Sequence, residues 1–167
     1  MERYSINLKR HWDSGGNILF TMMMCIISAI FLVHYKSVEI VDSIWMAAIV
    51  FVIWGGPSIL LHLNYYYINR SSKLFYYREK GKIEFINDKD MLGFTMDDID
   101  SVVRFVSSNF AAGRAAFLPW DNYNHSSIFL KNGQRIIITS LLVQNLNLPI
   151  PEEKITTRKN FFRLILS

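Results

Sequence analysis

Asp97, Asp98 and Asp100 set three carboxylates within four positions. That composition suits a hard cation, yet the central glycine and closing glutamate of a calcium-binding loop are missing. His125 stands beside Ser126 and Ser127, but adjacent residues of a strand face opposite ways, so His125 and Ser126 do not meet as base and nucleophile. Met22, Met23 and Met24 offer soft thioether sulfur, with no Cys or His at a matching helical spacing to complete a copper site. There is no glycine-flanked nucleophile, carboxylate pair in apolar surroundings, phosphate-cradling loop or His/Cys metal spacing. The sequence predicts a protein that is not an enzyme, with neither cofactor nor metal.

Residues suited to binding are better represented. The turn Arg78-Glu79-Lys80-Gly81-Lys82 concentrates cations, and each Lys or Arg near an anionic membrane contributes about 1 kcal/mol. The competing reading is a solvated turn that extends a basic flank. The 107–123 stretch carries Phe110, Arg114, Phe117 and Trp120, residue types enriched in binding hot spots. A loop of that length in a compact domain is usually functional. Equally, Phe117, Leu118 and Trp120 can fold back to cap the domain, leaving Arg114 as the exposed contact. The tail mixes Arg158, Lys159 and Arg163 with Phe161, Phe162, Leu164, Ile165 and Leu166. Such a segment fits an anionic membrane surface, a partner groove or the domain's own core.

The elements that carry these residues begin with two uncharged apolar stretches. No Asp, Glu, Lys or Arg lies between Asp13 and Lys36, or between Asp42 and Arg70. Crossing a hydrocarbon core of about 30 Å takes roughly 20 apolar residues, so both stretches qualify. They predict a transmembrane hairpin with helices from about Gly16 to Tyr35 and from about Ser43 past Pro57. A cleaved signal peptide would need small residues after Val33, where the chain reads His34-Tyr35-Lys36. Arg3, Lys9 and Arg10 precede the hairpin, and Arg70, Lys73, Arg78, Lys80 and Lys82 follow it. The link holds Lys36 against Glu39 and Asp42. Cytoplasmic flanks collect Lys and Arg, so both termini are expected in the cytoplasm. His62 and Asn64, near the end of the second helix, read as interfacial. The net charge of +4 is too small to hold nucleic acid.

After Arg70 the pattern turns to short strands: 74–77, 82–86, 94–96, 102–106, 126–130 and 134–139. Asn132-Gly133 between the last two is a strong hairpin signal. The expected organisation is α+β: a transmembrane hairpin over 1–71, a small antiparallel β unit over 72–151, and a basic amphipathic tail or short helix over 152–167. A leucine-spaced segment over Leu141–Leu148 leaves room for a short helix, ended early by Pro149 and Pro151.

This order resembles small bacterial membrane proteins that carry a pleckstrin-homology-like domain behind two transmembrane helices. The similarity rests on Leu74-Phe75-Tyr76-Tyr77, the acidic turn Asp97-Asp98-Ile99-Asp100-Ser101-Val102, the loop Leu118-Pro119-Trp120-Asp121 and the hairpin Phe129-Leu130-Lys131-Asn132-Gly133. It implies a strongly bent antiparallel sheet closed by a C-terminal helix, and a scaffold that binds lipid or protein. It also implies that a cationic first loop, here Arg78, Lys80 and Lys82, holds lipid headgroups. Together these readings give an interaction module of a bacterial cytoplasmic membrane. Phe110, Arg114, Phe117 and Trp120 would meet another membrane protein or a second copy of the chain. Anionic lipid at Arg78, Lys80, Lys82, Arg158 and Lys159 is the alternative, and a structural subunit of a transport or envelope-assembly complex is a third.

Overall fold

The computed structural model describes residues 1–88, 90–144 and 150–166. Its first surprise is where the helical hairpin is attached. Strand β1 (Glu2–Ser5) pairs antiparallel with β2 (Lys73–Tyr77), matching Glu2 to Tyr76 and Ser5 to Lys73. Helices α1 (Leu8–Lys36) and α2 (Ile40–Asn69) are therefore spliced between two hydrogen-bonded neighbours. Four paired residues fix the entry and exit of the hairpin. Strand β1 was not expected from the sequence, because Glu2-Arg3-Tyr4-Ser5 is short and polar.

The Asn7 side chain caps α1 by accepting the Arg10 amide at 3.0 Å, and Ser37 closes it in the left-handed region (φ 52°). Helix α1 thus begins a turn and more before the expected Gly16. Helix α2 starts at Ile40, carries on through Pro57 and ends at Asn69. At 1.5 Å per residue they run to about 43 and 45 Å. Both are long and apolar enough to cross a membrane, and only 6% and 17% of their most apolar windows are buried. A soluble protein's core helix would show the reverse.

The described residues of the β unit form two four-stranded sheets. The first runs β1-β2-β3-β4, with β3 at Lys82–Asn87 and β4 at Asp90–Thr95. The second runs β7-β6-β5-β8, with β5 at Ile99–Val106, β6 at His125–Leu130, β7 at Arg135–Thr139 and β8 at Ile155–Lys159. Leu74, Tyr76, Ile83 and Phe94 from the first sheet meet Ile99, Val102, Ile128, Ile136 and Ile138 from the second. Full burial of each such side chain stabilises by roughly 1.5–3 kcal/mol. A second cluster, Leu61, Tyr65, Trp120, Tyr123, Leu141 and Ile165, joins the last turns of α2 to this body.

The turns follow local chemistry. Gly133 adopts φ 84° in the β6–β7 hairpin, as the Asn-Gly pair predicts. The acidic run is a cap: Asp98 accepts the Thr95 amide at 2.7 Å and its hydroxyl at 2.8 Å, joining β4 to β5.

The C-terminal region departs from expectation. Instead of a helix or loose tail, β8 adds to β5 in parallel, with Val102 opposite Ile155 and Val106 opposite Lys159. The extended, β-branched run Ile155-Thr156-Thr157 favours this outcome. It also breaks the purely antiparallel pattern expected for the sheet. The Leu141–Leu148 segment, with its room for a short helix, lies partly outside the described residues; Leu141, Leu142 and Val143 are buried in a turn.

Candidate functional site

The 107–123 stretch is a structured loop. Ser107 accepts the Phe110 amide at 3.0 Å and caps a single helical turn, α3 (Ser108–Ala111); Gly113 then reverses the chain at φ 63°. Asp121 organises the rest. Its carboxylate accepts Asn109 Nδ2 at 2.9 Å and the Phe117 and Leu118 amides at 3.0 Å each. Burial opposes the charge on Asp121, but these hydrogen bonds outweigh it and hold the carboxyl below its usual range.

This scaffold separates the four aromatic and cationic candidates. Phe110 and Arg114 are exposed, and Phe117 stands 77% exposed at the tip. Trp120 is 5% exposed, 6.1 Å from the Trp54 ring and 5.5 Å from the Phe161 ring, so it belongs to the core. The expected folding back onto the core holds for Trp120 and not for Phe117.

Phe117 also borders a groove of about 510 Å³ between α1 and α2. Small side chains (Thr21, Cys25, Ser28 and Ala29 from α1, Ser43 and Ala47 from α2) line it beside the larger Phe20, Met24, Met46 and Trp54. Ala116, Phe117 and Pro119 close one end. Helix pair and loop thus form one continuous surface.

The basic candidates are dispersed. The turn carrying Arg78, Lys80 and Lys82 joins β2 to β3, so it is not the first inter-strand connection; the helical hairpin occupies that place. It lies at the end of β2 remote from α2, about 16 Å along the strand at 3.3 Å per residue. Arg78 pairs with Glu2 at 3.1 Å and Lys82 with Glu84 at 2.8 Å, whereas Lys80 is exposed. Arg158 and Lys159 are exposed on β8, an edge strand of the other sheet.

Of the residues that weld α2 to the β unit, the sequence marked only His62 and Asn64, and these as interfacial. Asn64 and Asn69 each clamp main chain, Asn69 through Thr139 N at 2.9 Å and Ile137 O at 3.0 Å. His62 sits 2.9 Å from both His11 and the Tyr123 hydroxyl. Tyr65 donates to the Arg163 carbonyl at 3.1 Å and lies 2.9 Å from His125 Nδ1. His125 is 5% exposed and stacked on Phe105; burial and then the Arg135 and Arg163 charges push its pKa down to about 4, so it is neutral. The Ser127 hydroxyl accepts from Arg135 at 3.0 Å, so it does not serve His125. Polar residues at the end of an apolar helix were the available signal for this joint.

No group of three or more His, Cys, Asp or Glu side chains suited to a metal occurs among the described residues. No curated protein and no solved structure matches the chain. The family model described as PH domain matches residues 3–149, from within β1, through the helical hairpin, to beyond β7. PH-like domains are generally binding modules without catalysis. With most of its length under that match, and two long apolar helices ahead of β2, the chain belongs to the PH domain family.

Proposed function

We propose that this chain is a membrane-anchored, non-enzymatic interaction module of a bacterial cytoplasmic membrane. Helices α1 and α2 span the bilayer, both termini are cytoplasmic, and the PH-like domain is held against the inner face to bind a second membrane protein. The observation that carries this reading is the composite groove. It joins the helix pair to the Phe117 loop, and its small side chains suit close approach by a partner helix. Phe110 and Arg114 are exposed on the same loop but do not line the groove. The charge asymmetry across the hairpin supports the orientation. Lipid binding by Arg78, Lys80 and Lys82 is less favoured, because two of the three cations are already paired with carboxylates.

Photo-crosslinking side chains placed singly at Ser28, Phe117 and Lys80 test the proposal in intact cells. Ser28 and Phe117 should give an adduct with the same protein, and Lys80 none. An adduct of twice the chain's own mass would identify the partner as a second copy. Adducts from Lys80 alone would refute the groove. With Cys25 replaced, a cysteine at Ser37 should react with an impermeant thiol reagent; labelling at Ser167 instead would invert the topology.

A further inference from the structure

The segment following β8 is built inside out. Arg163, its one cation, is 1% exposed, whereas Phe161 is 72%, Leu164 41% and Leu166 80% exposed. In water this arrangement is doubly unfavourable, since a charge is buried and large apolar side chains are wetted. It is nevertheless fixed. Arg163 Nε donates to the Tyr123 carbonyl at 2.5 Å, one terminal nitrogen to the Asn160 carbonyl at 2.7 Å, and the other to the Trp120 carbonyl. The inward Ile165 is gripped by Asn64.

The main chain of the segment is satisfied without solvent at several points. The Asn160 amide donates to Val106, and the carbonyls of Asn160 and Phe161 accept from Arg163. The Arg163 carbonyl accepts from Tyr65, and both polar groups of Ile165 meet Asn64. Each such bond lowers the cost of bringing a non-helical backbone up to hydrocarbon, where an unsatisfied group costs several kcal/mol, so the main chain stays at the boundary while the side chains reach inward.

We infer that residues 160–166 form a half-inserted foot in the cytoplasmic leaflet. Phe161, Phe162, Leu164 and Leu166 lie among acyl chains, and Arg158 and Lys159 lie at the headgroups. This inference rests on α1 and α2 spanning the membrane. Phe161 and Phe162 share a hollow with Ile53, Pro57 and Leu60 of α2. Counted from Asn64, read from the sequence as interfacial, Leu60 and Ile53 lie about 6 and 17 Å along the axis at 1.5 Å per residue. A headgroup layer is only about 5–8 Å deep on each side, so the hollow runs from the headgroup boundary at Leu60 to hydrocarbon depth at Ile53. The outward side chains offer no hydrogen-bond donor or acceptor, which selects acyl chains as the occupant. The exposed cations just before them match anionic headgroups.

The test uses the full chain with Cys25→Ser in vesicles of phosphatidylcholine and phosphatidylglycerol. Single cysteines replace Leu164, Leu166, Val50 or Glu79, and each carries a polarity-sensitive fluorophore. Leu164→Cys and Leu166→Cys should give blue-shifted emission. Acyl-chain nitroxides should quench them several-fold more than Glu79→Cys, approaching Val50→Cys. Quenching at Val50 but not at 164 or 166 overturns the foot and leaves the anchor standing. Absence of quenching at Val50 removes the anchor and the foot with it. Shielding of 164 and 166 from both lipid-borne and aqueous quenchers would mean that protein covers them, which also overturns the foot.

Discussion

Asn64 and Ile165 are joined through both ends of the asparagine amide: Nδ2 donates to the Ile165 carbonyl at 3.0 Å, and Oδ1 accepts the Ile165 amide at 3.0 Å. Asn69, five residues on, repeats the arrangement with Ile137 and Thr139. The last turns of α2 therefore present amide groups to the β unit much as a neighbouring strand would. Buried backbone groups need such partners, and Tyr65 of the same helix supplies one more to the Arg163 carbonyl.

Asn64→Ala leaves two buried main-chain groups unsatisfied, and each such group costs about 1–3 kcal/mol. The variant should melt lower in detergent, with residues 160–166 exchanging amide hydrogens faster while the β2–β4 sheet stays protected. Asn64→Asp keeps the acceptor for the Ile165 amide but sets a carboxylate oxygen against the Ile165 carbonyl, so it should melt at least as low as Asn64→Ala. Unchanged exchange across 160–166 in Asn64→Ala would show that the clamp does not hold the segment.

His125 gives the fold a pH dependence. Its pKa is about 4 when folded and about 6.5 when unfolded, so between those values the unfolded chain binds more protons. Stability then rises with pH across this window and is lost as pH falls from 6.5 towards 4. The contribution is on the order of 3–4 kcal/mol, since one pKa unit is worth about 1.4 kcal/mol. His125→Asn keeps a polar atom near the Tyr65 hydroxyl and removes the titration. Thermal melts between pH 4 and 7 should show a slope in the native protein that flattens in the variant; equal slopes would assign the effect to another group.

Elements with strong local codes were legible in the sequence. Two long uncharged runs, the Asn132-Gly133 turn and the aromatic strand before Arg78 each state their structure in a few residues. Strand β1 was not, because Glu2–Ser5 has neither alternation nor bulk and is held by its pairing with β2 across the whole hairpin. Strand β8 was masked by the basic character of Arg158 and Lys159, which reads as surface but equally suits an exposed edge. The 107–123 loop was legible as a long loop, yet its inner and outer residues were indistinguishable. Trp120 turns in against Trp54 and Phe161, while Asp121 accepts from residues 109, 117 and 118 and shapes the rest of the loop.

Gly133 tests the hairpin. At φ 84° with no heavy atom within 4 Å of a built Cβ, a side chain there meets strain and no clash. Gly133→Val should cost about 1–3 kcal/mol from backbone strain. Gly133→Asn should cost less, because asparagine tolerates the left-handed region. Equal melting temperatures for the two variants would show that the turn rearranges.

Arg114 and Trp120 belong to one loop but answer different questions. Trp120→Ala empties a site packed against Trp54 and Phe161, and deletions of buried Trp cost about 3–5 kcal/mol. Loss of binding in that variant would report only loss of fold. Arg114 is exposed and Phe117 is 77% exposed, so Arg114→Ala and Phe117→Ala should leave the melting temperature unchanged while weakening capture of the crosslinked partner. Combined, they should weaken it more than either alone, since hot-spot residues dominate an interface. Raising salt separates the contributions: screening acts on Arg114 and spares Phe117. If Arg114→Ala with Phe110→Ala retains full binding while Lys80→Ala with Lys82→Ala abolishes it, recognition belongs to the basic turn. The pairing of Lys82 with Glu84 would then have to open when the ligand arrives.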